Sequence, residues 1–116
     1  MIDSILPELK GYVNLAIDRD SGERIERDEL VEYLLTELTG AEAATVAERI
    51  RAAVEKGPFP AAAPGEFYHV TISIGATALS RGEESALFIQ RADQAMYQSK
   101  QGGRNRVSCI FPKTPN

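Results

Sequence analysis

Lys100 and Arg104 flank a glycine pair in the segment S-K-Q-G-G-R-N-R, which brings an ammonium and a guanidinium to one junction of the chain. A flexible point charge beside a rigid donor fork suits phosphate oxygens. A plainer role is also open, because cations in the last turn of a helix complement its dipole by about 0.3–1 kcal/mol. Near the other end, Asp18, Asp20, Gly22, Ile25 and Glu29 fall at positions one, three, five, eight and twelve of a calcium-binding EF-hand loop. The sixth position of such a loop needs glycine and is Glu23 here, and no second loop accompanies it. A polar turn therefore accounts for the two aspartates as well. His69 is the single histidine and has no cysteine or histidine partner, which favours a strand-face role over metal ligation. Arg49, Arg51, Arg91 and Arg106 read as solvated faces of helices or strands.

The elements that would position these side chains follow from periodicity. Phe88, Ile89, Ala92, Ala95 and Met96 recur at three- and four-residue spacing, so the segment after Glu84 is an amphipathic helix. Gly102 and Gly103 end it, and Arg104 to Ile110 reads as a short strand. Ser80 is the expected N-cap. Glu66 to Thr77 reads as a strand with Val70, Ile72 and Ile74 on one face and Thr71 and Ser73 on the other. Gly75 in its middle suggests close approach of another backbone. Tyr12 to Asp18 reads as a buried strand, and Asp3 to Lys10 as a short helix. Leu30, Val31, Leu34, Leu35 and Leu38 predict a helix over 26–38, stopped by Thr39 and Gly40. Another helix is expected over 41–56, and a Pro- and Ala-containing loop over 57–65. The sum is an α/β chain, an α+β sandwich with a small mixed sheet flanked by helices.

Composition sets outer bounds. A chain of 116 residues with 43% apolar and 26% charged residues fits one domain with a modest core. A net charge of −4 argues against a general nucleic-acid binder. One cysteine, Cys109, excludes an internal disulfide and is expected to act as a small buried hydrophobe. The start M-I-D-S-I-L-P has neither a basic cluster nor a long apolar run, and no segment approaches the ~20 apolar residues of a membrane span. The expectation is a cytoplasmic protein without a membrane or nucleic-acid partner.

The segment from Ala92 to Val107 contains A-D-x-A-M-Y-x-x-K-x-x-G-R-N-x-V. It resembles the C-terminal helix and strand of the GGDEF family, the diguanylate cyclases. Val70-Thr71-Ile72-Ser73-Ile74-Gly75 is similar to that family's central V-T-x-S-I-G strand, and Ala47 to Arg51 to the helix before it. The resemblance covers about residues 41–110, while the register of 1–40 is open and 111–116 form a tail. It implies a nucleotidyl-cyclase-like sheet, Lys100 and Arg104 as phosphate contacts, a magnesium ion and a guanine nucleotide. The family's domain is longer, so the resemblance implies a single shortened domain over 1–116.

Two family registers compete before residue 41. In the first, Tyr12 to Asp20 is the family's opening strand and Asp18 and Asp20 are its metal-binding D-x-D pair. Arg27-Asp28-Glu29-Leu30 then starts a helix, and the later signature hairpin is gone. In the second, Glu26-Arg27-Asp28-Glu29-Leu30 is a degenerate signature, Asp28 and Glu29 carry the metal, and the opening strand is absent. The first is favoured, since a sheet lacking its middle strand would leave unpaired edges on both sides of a gap.

Neither register contains an intact G-G-D-E-F, and the asparagine that contacts guanine in the family is missing. The family's R-x-x-D feedback motif would place its arginine at Ile17. These departures point to a domain in cyclic di-GMP signalling that no longer catalyses and acts as a regulatory or interaction module, still able to take a guanine nucleotide. Two alternatives stand beside it. One is a fragment or trimmed form of an active cyclase that joins two GTP into cyclic di-GMP. The other is a dimerisation module, because loss of a hairpin bares a sheet edge that invites self-association.

Overall fold

The structure is a computed structural model that describes residues 11–20 and 31–112. The expected helix over 3–10, the segment 21–30 with Asp28 and Glu29, and the last four residues lie outside the described residues. The elements run β1 (Gly11–Arg19), β2 (Val31–Leu38), α1 (Gly40–Lys56), β3 (Phe59–Pro60), β4 (Phe67–Tyr68), β5 (Ile72–Ala78), α2 (Ser85–Gln101) and β6 (Arg106–Cys109). Four strands form one sheet in the order β2-β1-β5-β6. β1 is antiparallel to both β2 and β5, and β5 is parallel to β6. α2 makes the crossover that parallel neighbours require.

Alternation along the strands sorts side chains into two layers. Leu15, Ile74 and Ala76 face α1 and pack with Ala47, Val46 and Ile50. Ala16 faces α2 and packs with Ala92 and Met96. The middle of the sheet is thus covered on both faces, and all seven residues of β5 are buried. Cys109, expected to be buried, is only partly so; it packs against the α1-side cluster, and burial pushes its thiol above the usual value. At Gly75 a side chain is excluded, because a Cβ would lie 2.1 Å from Met96 N and 2.2 Å from Ala92 O. The sheet and α2 touch backbone to backbone there.

The largest correction to the sequence reading concerns residues 31–38. The leucine spacing predicts a helix, but the segment is strand β2, paired with β1 from Ile17↔Val31 to Gly11↔Leu38. The string V-E-Y-L-L-T-E-L satisfies both periods, since Val31, Tyr33 and Leu35 also alternate. Pairing decides between them: β1 has a second edge whose N–H and C=O groups need partners, and only a strand supplies a whole row of them. Between Val13↔Leu35 and Gly11↔Leu38 the β2 side carries one extra residue, a bulge with Glu37 at φ 61°. Each family register is therefore half right. The opening strand is present in the middle of the sheet, and the residues after Leu30 form a strand antiparallel to it. β1 also rules out the EF-hand reading, whose loop would follow a helix.

Smaller corrections follow. Thr39 does not stop a helix; it caps α1, accepting from Glu42 N at 3.0 Å while its own amide donates to Glu42 Oε1 at 2.9 Å. The N-cap of α2 is Glu84, not Ser80. The expected loop over 57–65 contains half of a two-residue antiparallel pairing, β3 with β4, where the Phe59 and Tyr68 rings lie 5.9 Å apart. His69 follows β4 on the surface.

Candidate functional site

β1, α2 and β6 end or begin at one corner of the sheet, and that corner collects the polar residues singled out from the sequence. Asp18 points to the α2 side and is fully buried. Lys100, in the last turn of α2, is 6% exposed and reaches back to the strand. Its Nζ lies 3.1 Å from Asp18 Oδ2, 2.9 Å from Asp20 Oδ1 and 2.9 Å from the Arg19 carbonyl oxygen. Three oxygens thus surround one cation. The Asp18 contact is an ion pair without hydrogen-bond angles, so both Asp18 carboxylate oxygens remain buried with no donor. The dipole role considered for Lys100 is minor beside this pairing, because its charge is directed at two carboxylates.

Asp20 is the most heavily bonded acid of the corner. It accepts from Ser73 Oγ at 2.6 Å, Thr71 Oγ1 at 2.7 Å, Lys100 Nζ at 2.9 Å and the Asn105 amide at 2.9 Å. Burial alone would push its carboxyl up, but these donors outweigh burial and hold it below the ordinary value of 3.8. A carboxyl with a lowered folded pKa stabilises above its unfolded value, and that stability is lost as pH falls through the folded value. The solvated-turn reading of Asp18 and Asp20 is therefore overturned, since both are built into the fold.

The turn that follows α2 shapes the rest. Gly103, Arg104 and Asn105 all have positive φ, at 121°, 66° and 48°. Arg104 N donates to Ser99 O at 2.9 Å, and the Asn105 side chain bridges to Arg51 at 2.8 Å and to Glu55 on α1. Ser99 ties α2 to both strands through Ile74 O and Ser108 Oγ, each at 2.8 Å. The Arg104 guanidinium makes no hydrogen bond or ion pair among the described residues. Asp18, Asp20 and Lys100 are thus brought into contact, and Arg104 is placed beside them through Asn105. The alternative metal residues Asp28 and Glu29 lie outside the described residues.

Sequence reading missed three further polar groups. Arg91, expected on a solvated face, is instead 15% exposed. It grips Glu83 through two bonds of 2.5 and 2.6 Å, Thr77 Oγ1 at 2.7 Å and the Ala78 carbonyl at 2.9 Å, pinning α2 to the end of β5. Arg51 is likewise 16% exposed and pairs with Glu48 and Glu55. A third group lies on the α2 face: Asn14 donates to Glu32 Oε1 at 2.6 Å, and the Asp93 carboxyl lies beside that of Glu32. The sequence signal was Asn14, a polar residue on the strand face that also carries Asp18.

Burial, the Asp93 hydrogen bond and the Asp93 charge push the Glu32 carboxyl up to about 7, against a smaller downward pull from Asn14. The folded chain then holds this proton more tightly than the unfolded chain, whose value is 4.5. Stability from this group is fully present below 4.5 and is lost as pH rises toward 7. Glu32→Gln is expected to be near neutral at pH 5 and to raise the urea midpoint at pH 8. An equal change at both pH values would show that the Glu32 carboxyl is not pushed up in the folded chain.

The chain has relatives. Residues 5–106 match the family described as "Diguanylate cyclase, GGDEF domain". It is 40% identical over 108 residues to diguanylate cyclase A of Treponema denticola, covering 91% of this chain and 28% of that protein. It is 44% identical over 68 residues to the response regulator PleD of Caulobacter vibrioides, covering 58% of this chain and 15% of that protein. The chain therefore spans well under a third of these relatives. In fold it is similar to the GGDEF domain of DgcB from Caulobacter crescentus, solved in complex with c-di-GMP, with a TM-score of 0.74. That match has 22% identity and covers 86% of this chain and 78% of that one. A profile match over most of its length makes this chain a member of the GGDEF domain family.

Proposed function

We propose that this chain is a GGDEF domain that has lost cyclase activity and serves cyclic di-GMP signalling as a regulatory module. Its Asp18–Asp20–Lys100–Arg104 corner still takes a magnesium-bound guanine nucleotide. One observation carries the second half: Asp18 Oδ2, Asp20 Oδ1 and Arg19 O gather within 3.1 Å of a single cation, while the buried Asp18 oxygens have no donor. An all-oxygen cradle with net negative charge is the donor set magnesium prefers. In the protein alone the Lys100 ammonium fills it.

Among the described residues no group of three or more His, Cys, Asp or Glu side chains could hold a metal. Asp18, Asp20 and the Arg19 carbonyl would hold magnesium together with oxygens of the nucleotide. Bound magnesium would neutralise triphosphate charge. Lys100 and Arg104 supply the cationic donors, one flexible and one forked. Lack of turnover rests on the sequence: Glu26 and Arg27 stand where the signature has two glycines, and β1 and β2 are joined through residues 20–30 alone.

Incubation with GTP and magnesium, followed by chromatography of the products, tests the first half. No cyclic di-GMP above a protein-free blank is expected, and sustained production overturns the loss of activity. A second reading, a piece of a working cyclase, draws on the 40% identity to a Treponema denticola diguanylate cyclase of which this chain spans 28%. Product formation would favour it. Among the described residues no helix is long and apolar enough to cross a membrane.

A further inference from the structure

We propose that the outer edge of β2 is a self-association surface, on which a second copy of this chain adds its own β2 antiparallel, with Tyr33 opposite Tyr33. β2 is the end strand of the sheet, and among the described residues nothing pairs with its outer side. An unpaired edge is usually shortened, charged or covered. This one is eight residues long, with Val31 (41% exposed) and Tyr33 (49%) on its α1 face and Leu34 (61%) between Glu32 and Thr36 on its α2 face. Each face also borders an apolar hollow. On the α1 side a hollow of about 420 Å³ runs between Val31, Tyr33, Val46 and Ile50. On the α2 side one of about 400 Å³ runs between Leu34, Tyr12, Phe88 and Ile89. An edge flanked by apolar hollows on both faces fits an added strand better than it fits open water.

Symmetry and charge select the occupant and the register. A two-fold axis perpendicular to the sheet keeps each face on its own side, so residues of equal parity must meet. The bulge at Thr36–Glu37 ends the regular part of β2, which leaves Val31 to Leu35 with Tyr33 at its midpoint. Centred there, Val31 meets Leu35, Tyr33 meets Tyr33 and Leu34 lies beside Glu32. A continuous apolar stripe then joins the two α1-side hollows, and no like charges meet within the regular segment. Centring on Leu34 would run the pairing through the bulge and set Glu37 against Val31. Centring on Leu35 would set Glu37 against Tyr33. A second copy therefore satisfies this edge without burying a glutamate against an apolar side chain of the stripe.

Sedimentation across a dilution series gives the first readout. The expected mass at tens of micromolar is twice the 12.7 kDa of the chain, and Tyr33→Asp should return it to the single value. Cysteine cross-linking then reads the register, in a Cys109→Ser background. Directly opposed residues of an antiparallel pair sit about 4.5–5.5 Å apart at Cα, within disulfide reach. Tyr33→Cys should form a disulfide dimer under mild oxidation. Leu34→Cys should not, because its copies would stand ~8 Å apart, beyond that reach. A single-chain mass at every concentration overturns the proposal and assigns the edge to a foreign strand. A dimer that survives Tyr33→Asp, or that cross-links through Leu34→Cys and not Tyr33→Cys, overturns it as well.

Discussion

Lys100→Ala is expected to cost about 3–5 kcal/mol of folding stability, the usual penalty for leaving a buried charge without its partner. Asp18 is 0% exposed and neither of its oxygens has a hydrogen-bond donor, so the Lys100 ammonium at 3.1 Å is its main compensation. Removing the ammonium leaves the buried Asp18 carboxyl group with neither a compensating charge nor a hydrogen-bond donor. The double variant Asp18→Asn with Lys100→Met removes both charges and should recover most of the loss. Urea unfolding of the three proteins measures this. Magnesium adds a second reading, because an ion that occupies the same cradle replaces the missing ammonium. Millimolar magnesium should raise the midpoint of Lys100→Ala by more than that of the parent and leave the double variant unchanged. A loss under about 1 kcal/mol for Lys100→Ala would show that the ion pair is worth no more than a surface one.

Gly75→Ala is the second large effect, and it acts through packing alone. The added methyl would sit 2.1 Å from Met96 N, 2.2 Å from Ala92 O and 2.7 Å from Ala95 C. These are backbone atoms of a helix, which cannot swing aside as a flexible side chain can. Relief requires α2 to move off β5, and α2 carries Lys100, Ser99 and Arg91 with it. A loss of about 3 kcal/mol or more is expected, at the upper end for overpacked sites. For a domain of this size that corresponds to a fall in melting temperature of roughly 12–24 °C. A fall of less than ~4 °C, about 1 kcal/mol or less, would mean that the close approach is not maintained in solution. Ala76, next along the strand, is also fully buried but faces α1. Ala76→Gly is a suitable control, since it leaves the α2 contact untouched.

Legibility of this fold in the sequence followed the source of each element's stability. α1 and α2 could be read directly, because one face of each is apolar at helical spacing and Gly57 and Gly102 mark their C-terminal ends. β5 and β1 could be read from apolar runs, and Gly75 from its place within one. β2 could not, because V-E-Y-L-L-T-E-L fits both periods and only pairing with β1, a contact distant in sequence, selects the strand. The corner was half legible. The resemblance supplied Lys100 and the two aspartates, but not that Lys100 is internal and bound to both of them. Periodicity placed Arg91 on a helix face, yet it could not show that Glu83, Thr77 and the Ala78 carbonyl converge on that face. The Asn14–Glu32–Asp93 group depends on the β1–β2 register, which a helix over 26–38 does not provide.

The most direct test is a calorimetric titration of GTP with magnesium into the full chain, set beside the same titration into the Asp18→Asn, Lys100→Met double variant. The double variant removes one negative and one positive charge of the corner and leaves Asp20 in place, so a lost signal reports the site and not an unfolded protein. The expected result is saturable, magnesium-dependent binding to the parent and none to the folded double variant. No heat with the parent, or equal binding by both proteins, would contradict a nucleotide site at this corner and leave Asp18, Asp20 and Lys100 as a structural ion cluster.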